Sequence, residues 1–109
     1  MAPTVAEIMS RLPQAFVSDR TAGIEAVVHF KITGAEAGEW NAVIREGKCE
    51  VAQGLPRSRP TITLSADSAD FCRLAAGELD PAGAFMEGRI ALVGDLGQAR
   101  RLLGMFRAS

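Results

Sequence analysis

The chain has 109 residues, of which 48% are apolar and 23% charged, and its formal net charge is −1. A length of this order suits a single domain with one core, expected over residues 1–109, and the composition excludes disordered and fibrous classes. The near-neutral balance provides no electrostatic drive toward nucleic acid, whose binders carry a clearly basic face.

Residues 1–10 lack the basic start and continuous apolar core of a signal peptide, and no apolar run approaches the roughly 20 residues that span a bilayer. A cytoplasmic chain is therefore expected. Thr4, Val5, Ala6 and Glu7 fit a capping box that opens a helix with Val5, Ile8, Met9, Leu12 and Phe16 at helical spacing. Pro13 disfavours helix at Leu12, so two short helical pieces are expected, followed by a loop over residues 18–23.

Over residues 24–33 the period changes to two. Ile24, Ala26, Val28, Phe30 and Ile32 fall on one face, with Glu25, Val27, His29, Lys31 and Thr33 on the other, as in a half-buried strand. After a turn at residues 34–38, Trp40, Ala42 and Ile44 alternate with Asn41, Val43 and Arg45 along a second strand. Glu46 and Gly47 look like a hairpin turn into a third strand over residues 48–53, with Cys49 and Val51 inward. A Gly- and Pro-bounded loop precedes a fourth strand over residues 61–64. The second face of the longer strands is mainly charged or hydroxylic, so the sheet should be covered on one side only, with the helices there.

Ser65 or Asp67 can cap a helix carrying Phe71, Leu74 and Ala75 and ended by Gly77. Asp80 before Pro81 reads as an N-cap with proline at the first helical position of a short helix bearing Ala84, Phe85 and Met86, which Gly88 can end. Ile90, Ala91, Leu92 and Val93 read as a buried strand. Asp95 and Gln98 then form a second capping pair for a helix with Leu96, Ala99, Leu102, Leu103 and Phe106. Periodicity alone assigns the large side chains of these helices, Phe85 and Met86 included, to the core.

Signals for chemistry are sparse. Nucleophilic catalysis needs an activated nucleophile with a base in reach, and His29 is the single imidazole, placed on the polar strand face as a solvated or Glu-paired side chain. Neither a Gly-x-Ser-x-Gly elbow nor a dinucleotide or phosphate-loop fingerprint occurs. Cys49 and Cys72 lie in no metal-ligand spacing and read as buried reduced thiols. No catalytic residue, metal or cofactor is expected. Arg57 and Arg59, in the Pro-bounded loop, could touch a phosphate or a membrane surface. They are read as solvated charges, because each arginine adds only about 1 kcal/mol at a bilayer. Arg100 and Arg101 suit a helix C-terminus.

The run Gly77, Glu78, Leu79, Asp80, Pro81, then Ala84, Phe85, Met86, Glu87, Gly88, then Gly94 and Asp95, resembles the signature of the sterol carrier protein type 2 (sterol-transfer) family. Phe30, Ile32, Thr33, Gly34, Trp40 and Gly47 are similar to its first strands, and Phe71 with Leu74 to its central helix. Arg89 stands where the family often has Lys, and the ending Arg107, Ala108, Ser109 is not the Ser-Lys-Leu peroxisomal address of some members. The resemblance implies a two-layer α/β (α+β) fold, with a five-stranded, mixed and largely antiparallel sheet covered by helices on one face. It also implies an apolar tunnel between the layers for a fatty acid, acyl-CoA, sterol or similar lipid. By that analogy Phe71, Leu74, Phe85, Met86, Leu103 and Phe106 line it, with Ile32 and Trp40 as neighbours. The expected partner is thus a lipid or other hydrophobic small molecule, with transient membrane contact and a homodimer left open. The alternative is a structural or dimerising module for an enzyme of lipid or quinone metabolism.

Overall fold

The computed structural model describes residues 4–15, 25–95 and 97. Its elements, in order, are helix α1 (Val5–Ala15), strands β1 (Ala26–Thr33), β2 (Gly38–Arg45), β3 (Lys48–Gln53) and β4 (Ile62–Asp67), helices α2 (Ser68–Ala75) and α3 (Pro81–Met86), and strand β5 (Ile90–Gly94). The strands form one five-stranded sheet in the order β3-β2-β1-β4-β5, in which β1 and β4 are parallel and all other neighbours antiparallel. Helices pack on it, giving the expected mixed sheet in an α+β fold. The proposed last helix, with Leu103 and Phe106, and the loop at 18–23 lie outside the described residues.

Side-chain alternation sets the layers. Ala26, Val28, Phe30 and Ile32 of β1, Ala42 and Ile44 of β2, Ile62, Leu64 and Ala66 of β4 and Ile90 of β5 point to one side and are buried. On that side α1 lies over β3 and against α2, α2 over β4 and β1, and α3 against β5. Val5, Ile8 and Met9 of α1, Phe71 and Cys72 of α2 and Ala84 of α3 complete the core. The ring of Phe71 meets that of Phe30 edge-on, with centroids 5.8 Å apart and planes at 70°, the geometry that the ring quadrupoles favour.

The helix ends follow from their sequences. The Thr4 hydroxyl accepts the Glu7 N–H at 3.1 Å and the Glu7 carboxylate the Thr4 N–H at 3.4 Å, a reciprocal capping box. Asp67 caps α2 through Ala69 N–H at 2.9 Å, and Asp80 caps α3 through Gly83 N–H at 2.8 Å. Both helices close in the same way. Gly77 and Gly88 take φ of 79° and 75°, and the N–H groups of Glu78 and Arg89 then reach back to the carbonyls of Arg73 and Ala84. This is the Schellman arrangement, which a side chain with a Cβ resists.

Strand β5, expected to be buried, lies at the sheet edge with Ile90 buried and Val93 67% exposed, and three further expectations need correction. Pro13 does not split the first helix, which runs unbroken over Val5–Ala15. The proline sits close to the helix C-terminus, where its missing N–H costs a single intrahelical bond, to the Met9 carbonyl. The fourth strand is longer than residues 61–64 and reaches Asp67, because its parallel pairing with β1 continues to Thr33 and ends only where Asp67 turns to cap α2.

The third correction concerns the outer face of the sheet. Strand β3 is separated from β4 by β2 and β1, so the connection over residues 54–61 has to cross both strands, about 14 Å at ordinary strand spacing. It crosses on the polar side. Gly54 N–H donates to the Glu39 carbonyl at 2.7 Å, the Asn41 amide donates to the Gly54 carbonyl at 3.0 Å, and Thr61 N–H donates to the Val27 carbonyl at 2.7 Å. On that side Asn41, bonded to Gly54 of this strap, is 9% exposed, and His29, against Glu39, is 8% exposed. A face that composition marks as solvated thus has two buried polar residues.

Candidate functional site

The residues that the resemblance marks for a ligand wall separate into three groups. Ile32 and Phe71 are fully buried, and Trp40 and Leu74 are partly buried against the same core, so these four come together on the inner side of the sheet. Phe85 and Met86 do not join them. They are 42% and 83% exposed, which corrects their assignment to the core. The cause is the length of α3. Among the described side chains of this six-residue helix against β5, Ala84 is the buried one, at 1% exposure. The next two residues are turned about 100° and 200° away. Leu103 and Phe106 lie outside the described residues.

Phe30 is absent from the wall that the resemblance implies, yet it is the ring against which Phe71 rests. Its alternation with Ile32 and Val28 is the signal that places it there. Val5, Ile8 and Met9 form a further part of the apolar layer, contributed by α1 over β3.

Polar chemistry on the described residues is limited. His29 Nε2 lies 3.0 Å from Glu39 Oε1, on the outer face. His29 is thus Glu-paired and buried rather than solvated. Burial, and then the charge of Glu50, raises the Cys49 thiol from 9.0 to about 11. Burial, followed by the Glu36 charge, also raises the Cys72 thiol. Both are free and remain protonated at neutral pH, which makes them poor nucleophiles. Among the described residues no group of three or more His, Cys, Asp or Glu side chains could hold a metal ion, and no helix is long and apolar enough to cross a membrane.

The profile of the SCP-2 sterol transfer family matches residues 6–107, which include both the buried inner face and the exposed Phe85 and Met86. The chain belongs to that family. Hydroxysteroid dehydrogenase-like protein 2 of Xenopus tropicalis is 33% identical over 78 residues, 72% of this chain but 19% of the relative. The chain therefore spans about a fifth of the length of the curated relatives it matches. Among solved structures, the palmitated SCP2L2 of Aedes aegypti superposes with a TM-score of 0.74 at 23% identity, over 94% of this chain and 93% of that one. The inverting sec-alkylsulfatase Pisa1 from Pseudomonas sp. gives a TM-score of 0.84 at 18% identity, over 99% of this chain and 17% of the sulfatase. At these identities the structural likeness is one of fold.

Proposed function

We propose that this SCP-2 domain binds a hydrophobic ligand, such as a fatty acid, acyl-CoA or sterol, in an apolar tunnel between sheet and helices, and carries it in the cytoplasm without catalysing a reaction on it. Family membership over residues 6–107 is the observation that carries the proposal. Side-chain placement supports it. Ile32, Trp40, Phe71 and Leu74 supply the inner wall, and Phe85 and Met86 remain uncovered at its α3 end, available to a ligand that runs between them. Leu103 and Phe106 belong to the same wall in this proposal. Burying about ten methylenes at ~0.8 kcal/mol each offers ~8 kcal/mol before the costs of binding, which suits a carrier that must also release its cargo.

The test is displacement of a fluorescent fatty acid by palmitate. Wild-type protein should bind and exchange the probe, whereas Met86→Lys should keep its circular dichroism spectrum and lose most of the binding. A wild type that binds no probe rejects lipid binding, and full binding by Met86→Lys removes Met86 from the wall.

One observation favours a second role. Related sequence and the same fold occur as roughly a fifth of longer chains that include a dehydrogenase-like protein and a sulfatase. A structural or dimerising module for an enzyme fits that arrangement, with a core that stays dry. Native mass spectrometry of gently purified protein separates the two, since a carrier retains lipid and a scaffold gives a lipid-free oligomer.

A further inference from the structure

We propose that a depression at the end of the β1–β2 ladder, under the strap, is a binding site for a phosphate group, carried either by a phospholipid headgroup or by a free phosphate ester. The depression has a volume of about 240 Å³ and lies between the start of β1, the end of β2 and residues of the 54–61 connection. That is below the ~300–1,000 Å³ of pockets for whole drug-sized ligands and suits a headgroup-sized one.

Val27 and Val43 form apolar walls, while Arg45, Ser58 and Thr61 bring polar groups to the lining. Their hydrogen-bonding state selects an anion. The Arg45 guanidinium and the Ser58 hydroxyl make no hydrogen bond or ion pair with any described residue. Thr61 Oγ1 accepts the Val27 N–H at 3.0 Å, so its own proton is left to donate. The depression thus brings three uncommitted donors together, one of them the planar fork that matches phosphate oxygens. Arg57 and Arg59 flank Ser58 on the strap, both exposed and without a partner among the described residues, and add positive potential at the mouth. Arg57 and Arg59 are exposed, as expected of solvated loop charges, and Ser58 between them reaches the Arg45 end of β2.

Glu25 is the single carboxylate in the lining. It stands one step beyond the Ala26–Ile44 pair, opposite Arg45, and forms no ion pair with it. Its charge opposes an anion and gives the proposal a signed test. The site shares no residue with the proposed lipid wall, so either can fail alone.

Inorganic phosphate titrated into labelled wild-type protein and followed by amide NMR should shift Val27, Val43, Ser58 and Thr61. Arg45→Gln, at an exposed position, should weaken the effect roughly ten-fold, and Glu25→Gln should strengthen it. Vesicles of phosphatidylcholine containing phosphatidic acid distinguish the sources. Binding that Arg45→Gln abolishes assigns a headgroup, whereas phosphate binding without vesicle binding assigns a free ester. No shift in these amides up to ~10 mM phosphate, a level that fills even a millimolar site, overturns the proposal. So does a phosphate affinity that Arg45→Gln leaves unchanged.

Discussion

The Glu36 carboxylate accepts the Val5 backbone N–H at 2.9 Å, joining the turn between β1 and β2 to the first turn of α1. The Glu36 N–H donates to Ser68 Oγ at 3.3 Å, at the start of α2. One residue in the turn therefore holds the N-terminal ends of two helices. A negative charge against the amide end of α1 also complements its dipole. Glu36→Ala should lower stability by about 1 kcal/mol, as loss of an N-terminal cap does, and Glu36→Gln should recover part of it. Urea denaturation measures both, and equal stability of all three proteins would mean that the contact contributes nothing.

Phe71 and Met86 both belong to the proposed wall but differ in what they do for the fold. Phe71 is 4% exposed and pairs with Phe30, whereas Met86 is 83% exposed. Phe71→Ala should cost about 3–5 kcal/mol, the range for a deleted core phenylalanine. Met86→Lys should stay within roughly 0.5 kcal/mol of wild type, as surface substitutions do. Thermal denaturation of the pair checks this, and a severe loss in Met86→Lys would place Met86 in the core after all.

The strap is held to the sheet partly by Asn41, whose amide reaches the Gly54 carbonyl. Asn41→Ala removes a bond to a half-buried carbonyl and should cost about 1–2 kcal/mol. Hydrogen exchange is the more specific readout. Protection should fall first at Gly54 and Thr61, whose N–H groups bond to β2 and β1, and remain high in the centre of the sheet.

The buried thiol of Cys49 makes stability depend on alkaline pH. The unfolded chain releases this proton near pH 9.0, whereas the folded protein holds it to about pH 11. Stability is therefore full below the lower value, falls as the pH rises between the two, and levels off above the higher one. Cys49→Ala should flatten this part of the profile. A wild-type curve that stays flat over the interval would contradict it.

Much of the architecture is legible along the chain because it depends on neighbours in sequence. The capping box at Thr4 and Glu7, the Asp80 and Pro81 start of α3 and the glycine-closed ends of α2 and α3 each satisfy backbone groups within a few residues. The alternation of Val28, Phe30 and Ile32 likewise states which side of β1 is buried, since the pleat permits two sides only. The tight turn at Glu46 and Gly47, with φ of 53° and 73°, follows from its two-residue length.

What the chain by itself determined is this set of local choices, together with family membership through the motif from Gly77 to Asp95. Tertiary structure alone decided how far each choice extends and what covers it. Pairing with β1 carries β4 on to Asp67, and the strand order makes residues 54–61 a crossover, to which the outer-face Asn41 is tied through the Gly54 carbonyl. Packing of α3 against β5 through Ala84 leaves Phe85 and Met86 outside. Helical spacing fixes only which residues of a helix share a side. Which side meets the sheet depends on partners distant in sequence, and for Met86 that difference separates a core residue from one available to a ligand.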